Sequence, residues 1–384
     1  MLRDIILFVI VLLVLIIMIY RLKYPFWSRQ PVFHYHNIRY WLFPPGIIQH
    51  GQPERNKFYN SKIFFDYYRR ISTEKKALFA TFIQKHFLPK NAEKYKPSKD
   101  GVLNYFKNHN KKSYLSILYD NAFKKKIIGT MSTRPLICYI GDDTNKNKIN
   151  LYYVDFLCVH QKYRKKGYAP KIIYSHYVNH RTVNDNAIFL FKREGPNTLI
   201  VPLTIYNNYL FDIYYWDKLV TFDHPSIKTI LITKQNIDLF VDVFERLIQS
   251  KFACIITPNI NHLHHLIEKK EIFVCITLIN KEPYDCFVFR KTYTTYNGSN
   301  SLEAFASFKE TDTSVFVLSF MCAISQIYQI NKFQKLFIEN ISNNNIIIKK
   351  IMERYNYIWK GKCSYYFYNF GYRPFKSNDI FLLN

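Results

Sequence analysis

The chain has 384 residues, with 54 Lys and Arg against 28 Asp and Glu and a formal net charge of +26. Hydrophobic residues make up 48% of it, which excludes a disordered chain and allows a substantial core. Seven cysteines without a CxxC pair point to free thiols in a reducing compartment rather than to a disulfide scaffold. The positive charge favours anionic partners such as nucleotide cofactors, nucleic acid or anionic lipid. The lysines are scattered rather than striped, however, and a compositionally biased genome accounts for much of the excess.

The N-terminus opens with an uncharged apolar run, Ile5 to Tyr20, followed by Arg21, Lys23 and Arg29. As a helix this run reaches about 24 Å at ~1.5 Å per residue, slightly short of a ~30 Å hydrocarbon core, and flanking residues can snorkel to bridge the difference. A signal peptide would need a small-residue cleavage site, which RLKYPFW does not offer. We therefore expect residues 1–23 to form a single-pass anchor, with residues 5–20 in the membrane. The cationic flank puts the following body on the cytosolic side. A helix buried in the folded body is the alternative.

Beyond the anchor, strands and helices alternate. Residues 67–87 (YYRRISTEKKALFATFIQKHF) have helical spacing, and SYLSILYD (113–120) and KKIIGTMSTRPLICYIG (125–141) look like strands. INLYYVDFLCV (149–159) is too continuously apolar for an edge strand. A second series follows: EIFVCITLI and YDCFVFRKTYTTY as strands, 313–330 as a helix, KLFIEN as a strand, IIIKKIMERYNYI (346–358) as a helix and CSYYFYNF as a strand. Two such series suggest two similar α/β units, residues 24–215 and 216–384.

The densest motif is FLCVHQKYRKKGYAPKII, Phe156 to Ile173. A strand ending at Val159, a cationic loop around Gly167 and a helix starting near Ala169-Pro170 form an anion cradle. Helix N-termini leave N–H groups unpaired and their dipole favours phosphate. Gly167 permits close backbone approach, Arg164, Lys165 and Lys166 add charge, and Pro170 suits a first helical turn. RKKGYA fits the R/Q-x-x-G-x-G/A pattern by which GNAT acyltransferases hold the pyrophosphate of coenzyme A.

FLCVHQKYRKKGYAP also resembles the signature of the N-myristoyltransferase (glycylpeptide N-tetradecanoyltransferase) family. YPFWSRQPV (24–32), the run from KKIIGT to YYVDF, SLEAFASF, LFIENISNNN and WKGKCSYYFYNFGYRP resemble further family segments in the family's order. The resemblance covers residues 24–384. It implies an α/β (α+β) fold of tandem GNAT-like units with pseudo-twofold halves, the first binding myristoyl-CoA and the second building much of the peptide groove. The implied reaction joins the C14 acyl group of myristoyl-CoA, the co-substrate, to the N-terminal glycine of a protein. Pro25, Phe26 and Trp27 would line the acyl-CoA near its thioester, together with the strand Phe156, Leu157, Cys158 and Val159. Arg164, Lys165, Lys166, Gly167, Tyr168 and Ala169 would hold the phosphates. The backbone amides of Phe156 and Leu157 would form an oxyanion hole, worth several kcal/mol in thioester aminolysis. The family's base is the carboxylate of its C-terminus, which here would belong to Asn384, carried inward by apolar Phe381, Leu382 and Leu383.

Several residues depart from the family. Asp155 stands where the family usually has Asn, and as a carboxylate it could act as base or bind the incoming ammonium. Arg193 or Glu194 stands in place of a threonine near the amine. PKNAEK (89–94) replaces an acidic run, so a preference for lysine in the substrate is not implied. HLHH (262–265) lacks the spacing and the carboxylate of a zinc site, and no metal is expected. Cys158 beside His160 suggests a nucleophile–base pair, but a packed core thiol is the plainer account. The 32 tyrosines and 33 phenylalanines lie in core strands rather than on a nucleic-acid platform, so no specific nucleic-acid partner is expected. The alternatives are a GNAT-type acyltransferase with another acyl-CoA or amine, and a degenerate homologue that binds acyl-CoA or membranes without turnover.

Overall fold

The structure, a computed structural model, describes residues 2–88, 93–120, 126–142, 145–195, 200–216 and 220–384. Residues 89–92 of PKNAEK (89–94), the segment that replaces the family's acidic run, lie outside the described residues. Helix α1 (Leu2–Lys23) stands nearly bare of contacts along its length, with only Tyr20 buried at its base. Its 22 residues reach about 33 Å at ~1.5 Å per residue, so the helix is longer than the apolar run alone suggests. It is long and apolar enough to cross a membrane.

The first series holds α2 (Thr73–His86), β1 (Tyr114–Tyr119), β2 (Ile127–Asp142), β3 (Asn145–Val159), α3 (Tyr168–Arg181), β4 (Phe189–Glu194) and β5 (Thr204–Asp212). The second holds α4 (Ile237–Ile248), β6 (Cys254–Thr257), α5 (Ile260–Glu268), β7 (Ile272–Ile279), β8 (Glu282–Tyr296), β9 (Ser299–Phe308), α6 (Thr313–Ile330), β10 (Lys335–Glu339), α7 (Asn344–Met352), β11 (Tyr357–Tyr368) and β12 (Ile380–Leu382). Short strands and single-turn helices fill the intervals.

One large sheet runs in the order β12–β6–β2–β3–β4–β11–β5–β10–β9–β8–β7 and ends on the short strand Ile227–Leu231. β11, from the second series, lies between β4 and β5 of the first, and β6 pairs with β2. The two series therefore contribute strands to one sheet. α6 also has the length and hydropathy of a membrane span, but Phe316, Phe320, Ala323 and Ile327 are buried in the core over the second-series sheet.

Two expected elements end differently. The helix expected over 67–87 begins only at Thr73, because Ser72 accepts the Lys75 N–H (3.3 Å) as its N-cap, while Phe64–Tyr67 pairs with β1. The helix expected over 346–358 stops at Met352, and Tyr357 enters β11 opposite Phe211. Ladder pairing with β5 overrides local helix propensity there.

Candidate active site

β3 and β4 run parallel, paired only at Tyr152–Phe189 and Tyr153–Leu190. Past that point β4 keeps its ladder with β11 (Phe191 opposite Tyr366, Glu194 opposite Cys363), while β3 turns towards the α3 loop. The two strands open into a wedge. On its other edge β3 carries a bulge, since Thr130 pairs with Cys158 and Ser132 with Asp155, so that Phe156 and Leu157 together face Met131. Phe156 has φ +47°, a left-handed backbone uncommon for a non-glycine residue. Its ring packs edge-on against Phe79 and Phe87. The hydroxyls of Thr130 and Ser132 donate to the carbonyls of Phe156 (3.2 Å) and Asp155 (2.9 Å), which fixes the distorted turn.

The wedge holds a cavity of about 660 Å³. Its apolar wall includes Trp27, Met131, Ile173, Phe189 and Tyr368, and its polar wall is Asp155, Lys192, Arg193 and Glu194. Trp27 stacks on Phe191 at 5.5 Å, and Phe26 is buried beside it against Phe58. Pro25 is exposed at the foot of α1.

The cationic loop adjoins this cavity, because Leu157 packs in one cluster with Tyr163, Tyr168, Ala169 and Ile173. Gly167 is the N-cap of α3 with φ +74°, and Lys165 has φ +62°. A Cβ at Gly167 would meet nothing within 4 Å, so glycine is favoured by the backbone angle rather than by space. Lys165 and Lys166 are exposed. Arg164 instead turns inward, donating to the carbonyl of Val159 (3.0 Å) and to that of His86. It braces the loop on α2 rather than reaching out to solvent.

Asp155 is held at two points. Its Oδ1 accepts the Phe156 N–H at 3.0 Å, and its Oδ2 lies 3.4 Å from Nε of buried Arg134. One of the two expected oxyanion donors is thus occupied by the neighbouring carboxylate.

Asn384 is buried but does not line the cavity. β12 pairs in parallel with β6 and carries it to Arg290, which donates to its Oδ1 (3.0 Å), while its side-chain amide donates to the Tyr365 hydroxyl (3.1 Å). Arg290 also pairs with Glu303 (2.5 Å), and Lys192 with Glu339 (2.6 Å), closing a cluster of two half-buried cations and two buried carboxylates. Burial works against the Lys192 charge, yet Glu339 and Glu303 hold its pKa well above the usual lysine range. Burial also raises Glu303, but Arg290 and Lys192 outweigh it and bring the carboxyl down to about 2. Sequence inspection missed this cluster. Its one signal was an acidic residue inside each of two apolar strands, SLEAF and LFIEN.

The cysteine–histidine pair does not form. Burial pushes the Cys158 thiol up to about 12, against a weaker opposing pull from Arg164. His160 instead caps the following turn by accepting the Lys162 N–H (3.2 Å) and packs on His86. His262 of HLHH bonds the Lys107 carbonyl (2.7 Å) and stacks on His109 at 3.7 Å. A second, polar cavity of about 400 Å³ near these rings is lined by Arg69, His109 and His264 among others.

No protein-family model and no curated protein sequence matches the chain. Solved structures do. A crystal structure of Saccharomyces cerevisiae N-myristoyltransferase with bound myristoyl-CoA is similar at TM-score 0.70 and 13% identity, covering 92% of this chain and 94% of that one. A second, also with myristoyl-CoA, gives TM-score 0.70 and 13% identity over 92% and 90% of the two chains. A third, with myristoyl-CoA and inhibitors, gives TM-score 0.68 and 14% identity over 92% and 91%. The mixed α/β architecture expected from the sequence is the one observed, and the chain has the fold of the N-myristoyltransferases.

Proposed function

We propose that the protein is an N-myristoyltransferase, transferring the acyl chain of myristoyl-CoA to the N-terminal glycine of proteins from a body tethered to the cytosolic face of a membrane by α1. The observation that carries this is the continuity of three parts: an apolar cavity in the β3–β4 wedge, a bulged turn at Phe156–Leu157, and a helix N-terminus beside exposed Lys165 and Lys166. Phosphates bind at the α3 N-terminus, the thioester lies at the bulge, and the acyl chain fills the apolar wall. Similarity to structures holding myristoyl-CoA supports that ligand.

The amine arrives mostly as ammonium, since an α-amino group has a pKa of about 7.7–8.0, and must lose a proton before it attacks. Asp155 lines the cavity and Asn384 does not, which supports Asp155 as the acceptor. Protonation of its carboxyl weakens the bond to the Phe156 N–H, freeing that amide for the oxyanion. The nitrogen then bonds the carbonyl carbon, the C–S bond breaks, and the CoA sulfur leaves with the second amine proton.

The test is full-length protein in detergent with myristoyl-CoA and a glycine-led peptide, followed by mass measurement. We expect an acylated peptide, and Asp155→Ala to slow its formation by the ~10²–10⁴-fold of a lost general base. Adding two glycines to the protein after Asn384 is expected to leave turnover intact. No acylated peptide with any acyl-CoA leaves the non-catalytic homologue. Full activity in Asp155→Ala, with loss on extension, returns the base to Asn384.

A further inference from the structure

The foot of α1 is packed onto the body. The Tyr20 hydroxyl lies 3.2 Å from Nδ1 of His34, and its ring lies 5.7 Å from His34 and 6.4 Å from His36. The chain just past this contact forms an aromatic knob. Trp41 donates from Nε1 to the Tyr35 carbonyl (3.1 Å), and Phe33 and Tyr40 pack inward with Val201. Its outer side is apolar and bare: Tyr35 is 46% exposed, Ile38 66%, Leu42 73% and Phe43 64%. A contiguous group of this kind calls for a partner.

Charge identifies the partner. Between Asp4 and Glu54 there is no acidic residue, while Arg21, Lys23, Arg29 and Arg39 are all exposed. Exposed apolar side chains in a stretch whose only charges are cationic, with tyrosine and tryptophan among them, suit the boundary between anionic headgroups and acyl chains. Given α1 as a membrane span, on which this inference rests, we propose that Tyr35–Phe43 dips into the leaflet from which α1 emerges. The body is then held at two points and not on a free tether. Tyr24 sits one turn past Tyr20 and lines the cavity, so the cavity reaches the foot of α1.

The seven native cysteines are all buried, so single introduced cysteines can be spin-labelled in the full chain. Labels at Ile38→Cys, Leu42→Cys and Phe43→Cys are read in phosphatidylcholine–phosphatidylserine vesicles by oxygen against a water-soluble nickel reagent, with Val11→Cys in α1 and Ile330→Cys as references. We expect the three knob labels to be more accessible to oxygen than to nickel, as at Val11, with the reverse at Ile330. If Val11 reads lipid and the knob reads water, the knob proposal fails while the anchor stands. If Val11 also reads water, the anchor itself fails and the knob proposal with it. Knob labels shielded from both reagents would mean that protein covers the patch, which overturns a lipid partner.

Discussion

The β3–β4 wedge and the ionic cluster that joins its wall at Lys192 both carry charged side chains in a largely apolar body, and they treat charge in opposite ways. In the cluster buried Glu303 and Glu339 pair with half-buried Arg290 and Lys192, with close pairs at 2.5 and 2.6 Å. In the wedge the strands separate, a residue sits at positive φ and Asp155 holds an amide of its own chain, while two lysines of the adjoining loop face solvent. One region neutralises charge already present. The other keeps donors ready for charge that is brought to it.

The sharpest way to break this contrast is to unpair the cluster. Arg290→Met leaves Glu303 and Glu339 facing Lys192 alone, and removing one partner of a buried ion set costs about 3–5 kcal/mol. Denaturant unfolding is expected to show that loss. The double variant Arg290→Met with Glu303→Leu is expected to recover part of it, because no charge is then stranded. Equal stability of the single variant and the parent would mean that the cluster is not a paired unit.

A smaller effect separates neutral buried groups from the charged ones. Burial, aided by repulsion from His36, lowers the His34 pKa to about 4 from its ordinary 6.5. The unfolded chain therefore binds a proton first as pH falls. Stability declines between pH 6.5 and about 4, by about 1–3 kcal/mol, and flattens below the folded value. A melting series over that interval checks it, and His34→Gln is expected to shallow the slope.

The cations of the loop beside the wedge are expected to give the smallest change. Lys165 and Lys166 are exposed, so solvent screens them and each contributes less than a buried contact. Replacing both by Ala is expected to weaken acyl-CoA binding by roughly tenfold, with a shallower salt dependence. Unchanged affinity would remove the phosphates from this loop.

What was legible in the sequence follows the same division. The strand–loop–helix from Asn145 to Arg181 is local, carries its own turn signals and could be read directly. The separation of β3 from β4 could not, because it depends on β11, some 160 residues downstream, taking the other edge of β4. The cluster joins residues from β4, β8, β9 and β10, and no window of sequence contains two of its ion pairs. The hydrogen bond from Phe156 to Asp155 is local, yet it arises from a bulge whose register is set by β2. The place of Asn384 beside Arg290 is likewise set by the pairing of β12 with β6, which no local stretch of sequence carries.

The central claim is that the wedge receives the acyl chain of an acyl-CoA. Photolysis of the full chain with a myristoyl-CoA carrying a diazirine in its acyl tail, followed by peptide mapping, tests this most directly. The account predicts labelling at wall residues such as Met131, Ile173, Phe189 or Tyr368, suppressed by excess myristoyl-CoA. Labelling confined to α1 or to the second cavity around His109 and His264, or label that myristoyl-CoA does not displace, would contradict it.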